Sequence, residues 1–317
     1  MLRYLFGSLL LLVVSLASAF SQDSFSEEII EIVRINDSSV QRVILDKDLH
    51  RERWDTLAQV RFWRKVMNLP PEYSVLNIAD TRNVLNTFQT AYYDTLEDPL
   101  KRSFKDSILQ ICELPSNTRL YVTYGKSDFY KLREVLPSID AGIRHFQAEG
   151  TDPWFAQSIL LIESPGQLRK SPTGAVGHFQ LMPGVGRQMG LKVNREVDER
   201  EDFEKSARAA ARFIKKVCIP ETKDILRSYR LSFKEDDLWF RLMVLHVYHA
   251  GSGNVRSALR LIRPRKGGMA LIQSLWQTRN RYFRNASQNY SQVALASLLE
   301  LEEIIRRECN VLCPPIR

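Results

Sequence analysis

The segment Trp154-Phe155-Ala156-Gln157-Ser158-Ile159-Leu160-Leu161-Ile162-Glu163 constrains the fold more than any other. Asp152-Pro153 opens it, and Ser164-Pro165-Gly166 closes it. A proline at a helix start is well tolerated, because that N–H has no partner in the helix anyway. As a helix the segment is apolar on nearly every face, so it belongs inside a core rather than on a surface. Glu163 is the only charged residue between Pro153 and Arg169. It shares a stripe with Leu160, Ile159 and Ala156. It also sits at the helix C-terminus, where the dipole disfavours an anion. Apolar surroundings and the dipole both raise a carboxylate pKa. A carboxylic acid that keeps its proton near neutral pH is what general acid catalysis requires. The structural alternative is a glutamate turned to solvent at a frayed end, or one held in an internal ion pair.

The rest of the chain reads as helix after helix, with few alternating runs. Helices are expected at Trp54–Met67, stopped by Asn68-Leu69-Pro70-Pro71, at Asp80–Tyr93, and from Asp98-Pro99 to Cys112. Loops are expected at Pro115-Ser116-Asn117 and Tyr124-Gly125-Lys126. Further helices are expected from Ser127 or Asp128 to Phe146, from Phe203 to Val217 with close-packing alanines, from Asp237 to Val247, and from Ser287 to Arg307. A small irregular or β element fits near Gly174 to Gln180. The fold class is therefore mainly α. The expected division is a leader at 1–19, a helical N-terminal region at 20–133 and a catalytic domain at 134–310.

The leader is read from Met1-Leu2-Arg3, the apolar run Leu9 to Leu16 and the small-x-small site Ala17-Ser18-Ala19. That is the form of a secretory signal peptide. The run is shorter than the roughly 20 residues that span a bilayer. Export to the periplasm or cell envelope is expected. The net charge of +8 favours a polyanionic partner, and export argues against nucleic acid. In an oxidising compartment the four cysteines, Cys112, Cys218, Cys309 and Cys313, permit one or two structural disulfides. Zinc would need tighter Cys-x-x-Cys pairs, so neither metal nor cofactor is expected. His246 and His249, three apart on a helix, lack an evident third ligand.

Three ordered blocks carry a resemblance. They are Glu163-Ser164, then Gly174-Ala175-Val176-Gly177-His178-Phe179-Gln180-Leu181-Met182-Pro183, then Tyr248-His249-Ala250-Gly251-Ser252-Gly253-Asn254-Val255. Together they resemble the signature blocks of bacterial lytic transglycosylases with the goose-type lysozyme-like fold. The stretch from Gly186 through Ala211 looks most like the membrane-bound murein transglycosylase D branch. The resemblance covers about residues 140 to 300. It implies that Glu163 is the acid/base that cleaves between N-acetylmuramic acid and N-acetylglucosamine, leaving a 1,6-anhydromuramic end. It also implies substrate-binding roles for Ser164, Gly177, Gln180, Tyr248, His249 and Tyr290. Asp198, Glu199 and Glu201 are candidates for a second acid, but a solvated helix start explains them better. His249 and His178 depart from the family pattern, which has Asn and an apolar residue there. Peptidoglycan glycan strands are the implied partner, and the N-terminal helical region is a candidate docking surface for envelope proteins. The alternatives are a hydrolytic muramidase on the same fold, and a non-catalytic murein-binding or scaffold protein.

Overall fold

The computed structural model describes residues 11–14, 28–34, 40–165 and 170–312. An antiparallel sheet of order β1-β2-β3 comes first, from β1 (Leu11–Val14), β2 (Glu28–Arg34) and β3 (Val40–Leu45). The remainder of the expected leader lies outside the described residues. Next come α1 (Asp48–Arg51), a 3-10 turn (Trp54–Thr56) and α2 (Ala58–Asn68). A second antiparallel sheet, ordered β5-β4-β6, is built from β4 (Tyr73–Ile78), β5 (Val84–Gln89) and β6 (Leu120–Tyr124). Between β5 and β6 lie α3 (Thr90–Asp94) and α4 (Asp98–Ile111). The remaining elements are helices: α5 (Leu132–Ala148), α6 (Trp154–Glu163), α7 (Pro183–Gln188), α8 (Phe203–Phe213), α9 (Ile219–Ser228), α10 (Leu238–Ala250), α11 (Ser252–Ile262), α12 (Met269–Gln277) and α13 (Asn285–Leu312).

The molecule is mostly helical, as expected, but its N-terminal region also holds two small sheets. The expected helix Asp80–Tyr93 is instead β5 followed by the short α3. Val84 to Gln89 alternates between exposed and half-buried positions, the period of a strand with one covered face. β2 and β3 are dense in isoleucine and valine, residues whose branched Cβ suits a pleated surface.

α6 is buried at the centre. Trp154, Phe155, Ile159, Leu160 and Leu161 are each 0–1% exposed. Burying such side chains contributes about 1.5–3 kcal/mol each. Two polar side chains at the start of α6 tie it to the N-terminal region. The Gln157 side-chain amide exchanges two hydrogen bonds of 2.8 Å with the Ile44 backbone, so it completes the edge of β3. Trp154 Nε1 donates to Asp46 at 2.9 Å. Arg241, also buried, donates to Asp152 at 2.9 Å.

One core runs from β2, β3 and α2 through α5, α6, α8, α10 and α13 without a break at residue 133. α13 ties the halves together: Trp63 Nε1 donates to Gln292 at 3.2 Å, and Arg64 and Asn68 both bond Glu300. Only the β4–β6 sheet and α4 pack a separate cluster, around Leu76, Leu109 and Leu120.

The expected helix Phe203–Val217 ends as a wide π turn at Ile214–Cys218, which runs straight into α9. Pro220 supplies the reason: it has no N–H to donate, and its ring clashes with the carbonyl four residues back. Opening one turn relieves both problems. The expected disulfides do not include Cys112 or Cys218. The first is exposed at the end of α4, the second buried in the π turn, and both are free thiols. Burial pushes the Cys218 thiol well up, so it is an apolar filler there rather than a reactive group. Cys313 and the Cys309 side chain lie outside the described residues.

Candidate functional site

Glu163 is the last residue of α6. The helix stops because Ser164 leaves helical geometry, with φ −135° and ψ 54°, and Pro165 follows. Ser164 is buried, and its hydroxyl donates to the His178 carbonyl at 2.8 Å. Its position is therefore that of a tie between the end of α6 and the Gly174–Gln180 turn.

That turn has a left-handed backbone at three places, Gly174, Gly177 and Gln180. Gly177 has φ +82°, and a Cβ there would lie 1.9 Å from the Arg200 carbonyl oxygen. Only glycine fits. Gln180 follows with φ +46°, its backbone and side-chain N–H groups both donating to the Gly177 carbonyl, at 3.1 and 2.9 Å. An isolated bridge pairs Val176 with Leu181, which is the small β element expected here. Arg200, 4% exposed, clamps the turn from behind. Its guanidinium donates to the Gly174 and Leu181 carbonyls at 2.8 Å each, and to both Asp198 oxygens at 2.8 and 2.6 Å. Arg200 holds the Asp198 carboxyl below its usual range.

Glu163, Gln180, Tyr248 and His249 line one cleft of about 230 Å³, with Ser171, Met182 and Phe213 among its other walls. Gly177 lies behind the wall and Ser164 beneath it. Glu163 is the only carboxylate in the lining among the described residues. Asp198 is committed to Arg200, Glu199 to the Lys192 N–H and Lys205. The cap of α8 is Asp202, whose side chain accepts from the Lys205 N–H.

Burial pushes the Glu163 carboxyl from 4.5 up to about 7, and the Tyr290 hydroxyl pulls it partway back. Tyr290, on α13, is itself buried, and its hydroxyl completes no hydrogen bond of good geometry among the described residues. Its contact with Glu163 is therefore loose. Tyr248 is firmly placed, its hydroxyl donating to the Phe179 carbonyl at 2.6 Å. Phe213, just before the π turn, packs its ring 5.7 Å from that of Tyr248. His249 stacks on Tyr290 with ring centroids 4.3 Å apart and planes 21° from parallel. Much of the His249 ring opens on the cleft, yet the surrounding protein pushes its pKa down to about 4. At neutral pH it is an uncharged ring.

A third tyrosine is invisible to motif reading. Tyr130, just before α5, has its pKa raised by burial and then by the charge of Glu163. The same two causes, in that order, raise Tyr248 and Tyr290. The Lys131 N–H donates to the Pro165 carbonyl at 2.8 Å, which holds Tyr130 beside the end of α6. Glu163 is thus faced by three neutral phenols and an apolar helix. Arg200 was legible only as part of an acidic run, and its clamping role follows from the turn it grips.

His246 does not join His249. Its Nε2 pairs with Ser291 at 2.8 Å, and burial lowers its pKa to about 3. Among the described residues no cluster of His, Cys, Asp and Glu is arranged to hold a metal.

A half-buried carboxyl at a helix end thus shares one cleft with the Gly174–Gln180 turn. Residues 140–267 match the family model of the transglycosylase SLT domain. The SLT domain so delimited holds Glu163, Ser164, Gly177, Gln180, Tyr248 and His249, whereas Tyr290 comes from α13 beyond it. The match leaves the D branch undecided. No curated protein matches the chain. The SLT domain supports a peptidoglycan substrate and lytic transglycosylase chemistry in general.

Proposed function

We propose that this protein is an exported lytic transglycosylase that cleaves the β-1,4 bond between N-acetylmuramic acid and N-acetylglucosamine, with Glu163 as the single acid/base. The observation that carries the reading is a carboxyl whose pKa is pushed to about 7 in a cleft with no other acid in its lining among the described residues.

The neutral Glu163 donates its proton to the glycosidic oxygen, and the bond to the muramic acid C1 breaks. The carboxylate so formed takes the proton from the C6 hydroxyl of the same sugar as that oxygen attacks C1. The products are a 1,6-anhydro end and a free N-acetylglucosamine hydroxyl. Glu163 regains its proton, and no water is consumed. One group thus performs both proton transfers, which most glycosidases divide between two carboxylates. A pKa near the working pH suits a group that must give and then accept. Tyr290 and Tyr130 bound the carboxyl without supplying charge. Gln180 and His249 offer donors and acceptors to sugar hydroxyl and amide groups.

The test is product analysis of purified sacculi digested by the parent protein and by Glu163→Gln. Anhydro ends from the parent, and none from the variant, are expected. Reducing ends would make the protein a hydrolytic muramidase. Turnover by Glu163→Gln equal to the parent's would remove Glu163 from the mechanism, and an inert parent would leave a murein-binding scaffold.

A further inference from the structure

A second groove, of about 580 Å³, lies between the β4–β6 sheet, α2 and the start of α13. Arg82, Lys105 and Lys126 line it with Trp63, Tyr121 and Tyr124, and no carboxylate lines it among the described residues. Arg82 is only 5% exposed. Its guanidinium bonds neutral oxygens: Asn77 at 3.2 Å, Asn285 at 2.8 Å and Asn289 at 2.9 Å. The rings of Phe62 and Tyr121 flank it at 5.2 and 5.4 Å. The acids nearby are engaged elsewhere, Asp80 with Arg119 and Asp94 with the Tyr124 hydroxyl. Lys126 lies over the Trp63 ring.

A buried cation with no carboxylate in hydrogen-bond contact is costly to a fold, and Asp80, paired with Arg119, acts on Arg82 only through space. Arg82 also occupies a left-handed position, with φ +61°, which disfavours any residue with a side chain. Both facts are explained if an anion from outside completes the site. Isolated anions need donors only. Here the donors alternate with aromatic walls, which suits a ligand with carboxylates and an apolar body. The volume is that of an ordinary ligand pocket.

We propose that this groove binds the carboxylate-bearing stem peptide of murein, apart from the cleft that holds Glu163. The inference rests on murein being the substrate. It gives the protein two grips on one polymer, one on the glycan and one on the peptide.

Calorimetric titration of the full chain with the sugar-free tetrapeptide stem tests it. Binding by the parent is expected, and binding about tenfold weaker by Lys105→Glu and by Tyr124→Ala, both at solvent-accessible positions. The same peptide with its carboxylates amidated should bind at least as poorly. Thermal melts of the two variants should match the parent. Equal binding by parent and variants, or by peptide and amidated peptide, would overturn the proposal. Displacement of the peptide by equimolar inorganic phosphate would overturn it too, leaving a plain anion site. The probe has no glycosidic bond, so Glu163→Gln should bind it like the parent. Failure of the catalytic reading would thus appear in turnover, and failure of this one in peptide binding.

Discussion

Glu163 and Arg82 are both ionisable groups held in low-dielectric surroundings with no oppositely charged group in hydrogen-bond contact among the described residues, and the protein uses the two situations differently. At Glu163 burial changes the state of the group, because a carboxyl can meet the cost of desolvation by keeping its proton. At Arg82 burial lowers the pKa, but a guanidinium stays charged at any physiological pH. It must instead collect neutral acceptors, three asparagines, and aromatic faces. The contrast teaches that the same low dielectric makes a chemical group of an acid and a recognition group of a strong base. The surroundings follow suit. Phenols and alkyl groups around Glu163 leave the proton to the carboxyl, whereas amide oxygens and π faces around Arg82 stabilise fixed positive charge.

The sharpest way to break the comparison is Glu163→Gln, which should lower murein turnover on the order of 10²–10⁴-fold, read as release of soluble muropeptides. Smaller, and aimed at the frame rather than the acid, is Gly177→Ala. The added methyl would meet the Arg200 carbonyl at 1.9 Å on a left-handed backbone. A loss of about 3 kcal/mol in urea unfolding is expected, with Ser164 and Gln180 displaced together. Tyr290→Phe removes the hydroxyl that lowers the Glu163 pKa. The pH profile of kcat/KM should move upward, with turnover reduced only about two- to threefold, as suits a loose contact at the weak end of the hydrogen-bond range.

The smallest effect separates the two sites most cleanly. Between pH 4.5 and about 7 the unfolded chain releases the Glu163 proton while the folded chain retains it. Stability contributed by this group therefore falls as pH rises through that window. Equilibrium unfolding across the window should show a shallower decline for Glu163→Gln than for the parent. Arg82→Gln should shift stability by the same amount at each pH, because its charge does not titrate there. A pH-dependent shift in that variant would end the parallel.

The sequence carried the candidate site unevenly. α6 was legible because it is apolar all round and carries one charge, a pattern few folds accommodate. Gly177 and Gln180 were legible through spacing within one block. Tyr130 was not, since what brings it beside the end of α6 is a backbone bond from Lys131 to Pro165, and no side-chain pattern records such a bond. β5 was read as part of a helix because Val84 to Gln89 is only half covered and so alternates weakly. The π turn was hidden in an alanine-rich helical run, although Pro220 stood in plain view. The Arg82 groove had no motif at all. It is assembled from α2, the β4–β6 sheet, α4 and α13, so its residues lie far apart in the chain.

On the proposed function, the Arg200 clamp sets how the cleft meets a sugar. Four of its hydrogen bonds are made within the protein, so the glycine turn is already frozen when a glycan strand arrives. Little chain entropy remains to be lost on docking, and the reacting bond can be brought to Glu163 without the wall first having to find its shape.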